Sequence, residues 1–281
     1  MPRPPVPPGG RRIDLHTHTC FSDGTLSPEA LVALAVKRRL AALSITDHDS
    51  LEALGPAREA AGTAIEMVPG IELSSAFEGA ELHILGYYLD PLDPSLKQRL
   101  ERFRQDRLER AFAMVERLNE LGLAIDASEV VTQAGPGVVG RPHVAVVLVR
   151  AGHAENVDDA FRRFLGRGGV AFVPRPAFDP EEAIWLVHAA GGVSVLAHPG
   201  GLLPDAVIER LAAAGLRGIE VWHPQHGAAT VRRWRAVAAK LHLLETGGSD
   251  FHGPDRGVDL GDLSVPVEVL ARLKDAAGVA G

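Results

Sequence analysis

The chain has 281 residues, of which 46% are hydrophobic and 23% charged, so it can form one large barrel or a domain with an insertion. A formal net charge of −7 argues against a DNA-binding module. Any nucleic-acid substrate must therefore be small or be bound by a local site. The single cysteine, Cys20, excludes an internal disulfide, and no apolar run reaches transmembrane length; we therefore expect a cytoplasmic protein without membrane partners.

The N-terminal third begins with a leader and then alternates between strand-like and helical patterns. Residues 1–12 are proline-rich and lack the apolar core of a signal peptide, which predicts a disordered leader. Residues 13–94 predict the first part of an α/β domain. Its strand-like segments are RIDLHTH, AALSITDHD, IEMVPGIELSS and ELHILGYYL. Helical segments follow the first two strands, and Ser27 before Pro28 suits a helix N-cap. This order predicts a parallel sheet.

Residues 95–168 are almost entirely helical in pattern, which predicts a small helical domain inserted into the α/β domain. Its first helix carries five arginines that we expect mostly on the outer face, with Glu101 and Glu109 as partners. These arginines are Arg99, Arg102, Arg104, Arg107 and Arg110.

Residues 169–281 return to alternation and predict the second part of the α/β domain. The expected strands are VAFVP, GVSVLAHPG, GIEVW and LLETGGSDFHG, each followed by a helical segment. Trp185 and Trp234 lie on helical faces and are expected in the core, whereas Trp222 ends a strand and could line a pocket.

Histidines and acids recur where the predicted strands end, and in parallel α/β barrels the active site lies at that end. The candidate metal ligands are His16, His18, Asp23, His48, Glu72, His83, His198, Asp250 and His252. Residues two apart in a strand share a face, so His16 can act with His18. Such ligands suit Zn, Mn or Fe, and with a bridging carboxylate they would serve two to three divalent ions.

Each candidate also has a structural alternative. Asp23 could cap a turn, Asp47 and Asp49 could cap the following helix, and His198 could be a hydrogen-bonded loop residue. Cys20 is expected to be a packing residue rather than a nucleophile.

Six segments in register resemble the motifs of the PHP (polymerase and histidinol phosphatase) superfamily. They are DLHTHTCFSDGTLSPEALVALA, LSITDHDSLEAL, VPGIELSS, ELHILGYYLD, VLAHPGG and TGGSDFHG. The resemblance implies an α/β fold, a distorted seven-stranded TIM-like β/α barrel with three metals. The first metal would take His16, His18, Glu72 and Asp250. The second would share Glu72 and take His83 and His198, and the third would take Asp23, His48 and His252.

Within the superfamily, GRPHVA and IEVWHPQH match the subfamily of 3′,5′-nucleoside bisphosphate phosphatases and 5′-3′ exoribonucleases. The expected activity is hydrolysis of phosphate esters by metal-activated hydroxide. The substrate would be a nucleoside 3′,5′-bisphosphate, from which the 3′-phosphate is removed. Short 5′-phosphorylated RNA is a further candidate. The expected catalytic residues are His16, His18, Asp23, His48, Glu72, Asp250, His252 and, as proton donor to the leaving group, His226.

Substrate choice would depend on groups other than the metals. Arg141 is the main candidate for binding a second phosphate, because its planar guanidinium suits bidentate contact; pairing with an acid at a helix start is the alternative. The other candidates are His143, Arg175, Ser74 and Ser75, where the serines could instead simply end the strand.

Three other functions stay open. A histidinol-phosphate or other small phosphomonoester phosphatase would use the same metal site without a second anion site. A metal-dependent amidohydrolase would need a modified lysine or carboxylate in mid-barrel, and no lysine ends a predicted strand. A metal-stabilised scaffold would be non-catalytic. For all of these, a monomer or small homo-oligomer is expected.

Overall fold

The computed structural model describes residues 12–78, 80–176, 178–263 and 265–279, and these residues form a seven-stranded sheet. The strands are β1 (Arg12–Asp14), β2 (Leu40–Ile45), β3 (Glu66–Phe77), β4 (Ala80–Tyr87), β5 (Val193–Leu196), β6 (Gly218–Trp222) and β7 (Leu244–Gly247). The leader predicted over residues 1–12 lies outside the described residues except for Arg12, which begins β1.

The strands lie in chain order across the sheet, from β1 to β7. Their pairing is parallel except at β4, which runs antiparallel to both β3 and β5. The prediction of a wholly parallel sheet was therefore wrong at this strand. The physical reason is chain length: β3 ends at Phe77 and β4 begins at Ala80, too short a separation for a parallel crossover.

The two outer strands of the sheet approach each other just beyond their carboxyl ends. Thr17 forms an isolated parallel bridge with Phe251, in which the His18 amide donates to the Phe251 carbonyl at 2.9 Å. The Asp250 amide donates to the His16 carbonyl at the same distance. The sheet is thereby curved into a barrel-like arrangement, with the ends of β1 and β7 side by side.

Helices follow the strands and cover the sheet. In the barrel they are α1 (Pro28–Lys37), α2 (Leu54–Ala61), α7 (Pro180–Ala189), α8 (Asp205–Ala213), α9 (Ala228–Leu241) and α10 (Glu268–Ala277). The predicted start of α1 is confirmed, because the Ser27 side chain accepts a hydrogen bond from the Ala30 amide and Pro28 follows. No helix of the described residues is long and apolar enough to cross a membrane.

A group of helices connects β4 to α7. It comprises α3 (Pro94–Glu120), α4 (Ala127–Ala134), α5 (Arg141–Arg150), α6 (Val157–Ala160) and a π-helical turn (Phe161–Leu165). These helices share an apolar cluster of their own that includes Met114, Leu118, Val144 and Leu148. These connecting helices therefore pack around a small hydrophobic core of their own beside the barrel.

The segment VAFVP, residues 170–174, does not form the predicted strand. Its Phe172 and Val173 carbonyls accept hydrogen bonds from the side chains of Arg117 and Arg110 instead of from a neighbouring strand. Ala171 and Val173 pack into the apolar cluster of these helices, whereas Val170 is exposed. The segment therefore has the apolar pattern of a strand without pairing as one.

The arginines of α3 are also placed differently from the prediction. Arg110 is buried and Arg107 pairs with Asp49, while Arg99 pairs with Glu182 and Arg104 with Glu52. The expected partners Glu101 and Glu109 form no ion pair with these four. One face of α3 therefore turns its positive charge toward the barrel.

The tryptophans divide in an unexpected way. Trp234 is fully buried, as predicted, and its indole N–H donates to the Gly200 carbonyl at 2.7 Å. Trp185, in contrast, is 61% exposed on α7, so its prediction as a core residue was wrong. Trp222 ends β6 and is half-buried against the core.

Candidate metal centre and the adjoining arginine cluster

All nine predicted ligands come together at one end of the sheet, beyond the carboxyl ends of most strands, within β3 and in the amino-terminal half of the antiparallel β4. Four overlapping groups of them have donor atoms that lie within 4.8 Å of one another. These groups are His18–Asp23–His48–His252, His16–His18–Glu72, His16–His198–Asp250 and His48–Glu72–His83. We call the nine residues the ligand cluster.

Glu72 lies at the middle of the ligand cluster and is fully buried on β3. Its Oε1 is 2.7 Å from His83 Nδ1 and 2.9 Å from His198 Nε2. Its Oε2 is 3.3 Å from the Nε2 atoms of both His16 and His18. Oε2 also lies 3.1 Å from His48 Nδ1. A carboxylate whose two oxygens face separate sets of histidines has the geometry of a bridging ligand.

Two further carboxylates flank Glu72. Asp250 Oδ1 is 3.1 Å from His18 Nε2, and Asp23 Oδ1 is 3.2 Å from His252 Nε2. Asp250 has a φ of 51°, a left-handed conformation that is uncommon for a residue with a side chain. This backbone conformation turns the carboxylate back toward the end of the sheet. Strained conformations of this kind are common at functional sites.

The charge balance of the cluster suits cations. Burial opposes ionisation of Glu72, yet His48, His83 and His16 hold its pKa well below the usual value. Burial by itself would lower the pKa of His18, but the adjacent carboxylates of Asp250 and Glu72 raise that pKa to about 10. The ionised carboxylates are therefore balanced by positive charge, which either protons or divalent ions would supply.

Individual nitrogens also fit a metal. Burial lowers the pKa of His48 to about 3, which keeps its imidazole in the neutral form that binds metals. In the part of the chain that the structure describes, His18 Nε2 and His48 Nδ1 are buried without a hydrogen-bond partner, although carboxylate oxygens lie beside them. Buried polar atoms of this kind call for an explanation, and a bound cation provides one.

Several residues that sequence reasoning missed hold the ligands in place. Glu220, fully buried on β6, lies 3.0 Å from His16 Nδ1 with one oxygen and accepts from the His198 amide at 2.8 Å with the other. The signal in the sequence that could have identified Glu220 is that it is an acidic residue within the otherwise apolar segment GIEVW. His223, one residue past that segment, is buried with Nε2 3.3 Å from Asp250 Oδ2.

Asp47 and Asp49 have roles other than the predicted helix capping. Asp47 accepts hydrogen bonds from the Thr19 amide and the Ser22 hydroxyl, and so shapes the loop that carries Asp23. Asp49 accepts from the Arg107 Nε and Nη2 atoms, at 2.8 and 2.6 Å. Both carboxylates therefore tie the ligand cluster to its surroundings.

His226, the predicted proton donor, has both ring nitrogens occupied by the backbone. Its Nδ1 lies 2.9 Å from the Val221 carbonyl, and its Nε2 accepts from the Gly200 amide at 3.2 Å. Burial lowers its pKa, so the ring is neutral. This arrangement favours a structural role for His226 in joining the loops after β5 and β6.

The predicted phosphate-binding residues lie beside the ligand cluster, where α3 and α5 meet the β3–β4 hairpin. Ser74 Oγ accepts from Arg107, and its carbonyl accepts from Arg175. The Ser75 hydroxyl donates to the Leu82 carbonyl, within the hairpin. Because β3 continues to Phe77, neither serine ends the strand.

Arg141 and His143 both lie in the first turn of α5. Arg141 Nη2 contacts both carboxylate oxygens of Glu81, at 2.8 and 2.9 Å, which is the acid-paired alternative considered for it. His143 Nδ1 accepts from the Gly140 amide, which stabilises the helix start.

Four arginines gather at this place, and we call them the arginine cluster. They are Arg107, Arg110, Arg141 and Arg175. Within the described ranges, Asp49 and Glu81 form ion pairs with them, and Asp106 lines the same small cavity. Burial, reinforced by the neighbouring guanidiniums, lowers the pKa of Arg110 to about 9. Among the described residues, Arg110 Nη2 and Arg175 Nε have no hydrogen-bond partner.

Known proteins resemble this chain over most of its length. The model of the PHP domain family matches residues 14–162. The 5'-3' exoribonuclease Rnm of Escherichia coli K12 is 38% identical over 88% of this chain and 87% of its own length. The 3',5'-nucleoside bisphosphate phosphatase of Chromobacterium violaceum is 34% identical over 87% of this chain and 88% of its own.

A solved structure extends the likeness to the whole fold. A protein from Bifidobacterium adolescentis described as a metal-dependent phosphoesterase superposes with a TM-score of 0.89 at 33% identity. The alignment covers 97% of this chain and 98% of that one. The insertion and the barrel are therefore both shared with that structure.

Proposed function

The chain belongs to the PHP family of metal-dependent phosphoesterases, and on that premise we propose that it removes the 3′-phosphate of nucleoside 3′,5′-bisphosphates. Short 5′-phosphorylated RNA is a further substrate in this proposal. The names of two relatives, a bisphosphate phosphatase and an exoribonuclease, support both substrate classes. A cytoplasmic location and a monomeric or small homo-oligomeric state stay predictions.

The ligand cluster would hold two to three divalent ions, with Mn, Fe and Zn all suited to imidazole and carboxylate donors. Such ions, when bound, make hydroxide available near neutral pH and offset charge on the phosphoryl oxygens. Glu72 would lie between the ions, and Glu220 would hold His16 and His198 in orientation.

The observation that carries the substrate proposal is the arginine cluster beside the ligand cluster. Two buried guanidinium nitrogens there, on Arg110 and Arg175, lack partners and could donate to phosphate oxygens. Asp49 links the two clusters, because it follows the ligand His48 and binds Arg107. A substrate with two phosphates could therefore place one on each cluster.

The proposal is tested by replacing one arginine and comparing two substrates. In Arg175→Ala with saturating Mn²⁺, we expect KM for adenosine 3′,5′-bisphosphate to rise about tenfold or more, since a charge-assisted contact is lost. KM for an aryl phosphate monoester should change little. Arg162→Ala is the matched control, because its side chain is 75% exposed and pairs with Asp159 instead.

Two results would contradict the proposal. An equal loss on both substrates would mean that Arg175 supports the fold or the ligand cluster rather than a second phosphate. Phosphate release from histidinol phosphate or the aryl ester, but not from the bisphosphate, would favour the alternative of a simple phosphomonoester phosphatase.

A further inference from the structure

The positive face of α3 continues outward from the arginine cluster. Arg99, Phe103, Arg107 and Arg110 are spaced so that they lie on one side of the helix. Arg99 lines the small cavity that also contains Arg107, Arg110 and Arg175. It lines a second, more open cleft as well, so the two cavities adjoin at this residue.

We call the second cavity the outer cleft. It lies between α3 and α7, has a volume of about 320 Å³, and is lined by Ser95, Gln98, Arg99, Arg102, Glu182 and Trp185 among others. Trp185 exposes 61% of its surface there. An indole with that exposure has an apolar face available for contact.

The two arginines of the outer cleft differ in whether an acidic side chain pairs with them. Arg99 forms an ion pair with Glu182 and lies over the ring of Phe178, with 4.8 Å from its guanidinium carbon to the ring centre. Arg102 is exposed and, within the described ranges, forms no ion pair. The cleft thus combines an uncommitted cation with an exposed aromatic ring. Single-stranded nucleic acids are bound by that combination, with phosphates on cations and bases stacked on aromatic rings.

We propose that the outer cleft binds the nucleotides of a short single-stranded RNA that follow the nucleotide at the metal centre. One base would stack on Trp185, and Arg102 would contact a backbone phosphate. The helix rises about 12 Å from Arg99, which lines the outer cleft, to Arg107, which binds Asp49 next to the ligand cluster, and a short oligonucleotide can span that separation. The inference rests on the proposed function, because it assigns an RNA binding path to the same active site.

The test compares a 5′-phosphorylated tetraribonucleotide with adenosine 3′,5′-bisphosphate, both with saturating Mn²⁺. Trp185→Ala should raise KM for the tetranucleotide about fivefold or more through the lost stacking, and leave KM for the bisphosphate unchanged. Trp185→Phe should restore most of the difference. Arg102→Gln should weaken tetranucleotide binding and make it less sensitive to salt. Leu121→Ala is the control, an exposed apolar residue at the far end of α3.

The outcomes separate this inference from the proposed function. If Trp185→Ala affects both substrates equally, or affects neither, the outer cleft does not bind RNA. If the wild type hydrolyses the bisphosphate but does not bind the tetranucleotide, the inference fails while the phosphatase activity stands. If neither substrate reacts, quenching of tryptophan fluorescence by the tetranucleotide, absent in Trp185→Phe, still decides the inference.

Discussion

At the scale of single residues, Glu220 contacts two candidate ligands without belonging to the ligand cluster itself. Glu220 is fully buried. One of its carboxylate oxygens contacts His16 Nδ1, and the other accepts a hydrogen bond from the His198 amide. Burial would raise its pKa, but the imidazoles, His16 first, keep it lowered. A charged carboxylate behind His16 fixes which ring nitrogen points into the ligand cluster.

We predict that Glu220→Gln lowers metal affinity about 10- to 100-fold, because the neutral amide no longer orients and polarises His16. The measurement is turnover as a function of Mn²⁺ concentration, with circular dichroism to monitor the fold. Glu245→Gln is a matched control on the adjacent strand, since Glu245 pairs with Arg235 away from the ligands. Unchanged Mn²⁺ dependence in Glu220→Gln would refute the positioning role.

At the scale of elements, the meeting of β1 and β7 decides whether the first and last ligands share one site. Gly248 directly follows β7, and a Cβ built on it would lie 2.3 Å from the Cβ of His16. Only glycine permits the backbone to approach this closely. The approach carries Asp250 and His252 to the side of His16 and His18.

We expect Gly248→Ala to destabilise the protein by roughly 1–3 kcal/mol, because the added methyl group forces the two segments apart. The midpoint of urea unfolding measures this, and activity should fall with it. Gly55→Ala is the control, because nothing lies within 4 Å of a Cβ at that position. A Gly248→Ala protein as stable as the control would show that the segments can separate without cost.

At the scale of the whole molecule, the ligand cluster joins segments from both parts of the barrel. His16 and His252 lie at opposite ends of the chain, and Glu72, His83 and His198 come from strands between them. Ions bound by all of these segments in the folded state, and not in the unfolded chain, would stabilise the native structure by mass action.

We therefore predict that removal of divalent ions with a chelator abolishes activity and lowers Tm by roughly 5 °C or more. Added Mn²⁺ should restore both quantities. Differential scanning calorimetry with a phosphatase assay on the same sample provides the comparison. Loss of activity at constant Tm would indicate that the ions serve the chemistry but do not cross-link the barrel.

Prediction from the sequence succeeded where chemistry and periodicity coincide and failed where geometry is non-local. The nine candidate ligands, which the structure brings together, were chosen because histidines and acids follow apolar segments, where their burial would be costly without a partner. Arg107 and Arg110 were assigned to a solvent face, because helical spacing shows which residues share a face but not what that face meets. Trp185 was assigned to the core for the same reason, although α7 turns it outward.

By itself, the sequence determined the family, the alternation of strands and helices, and the residue types of the metal site, since each depends on local pattern and side-chain chemistry. Only the tertiary structure decided that β4 runs antiparallel, that Glu220 stands behind His16, and that α3 brings Arg107 to Asp49. Those relations join residues far apart in the chain. They are set by how packed elements meet, which no window of the sequence contains.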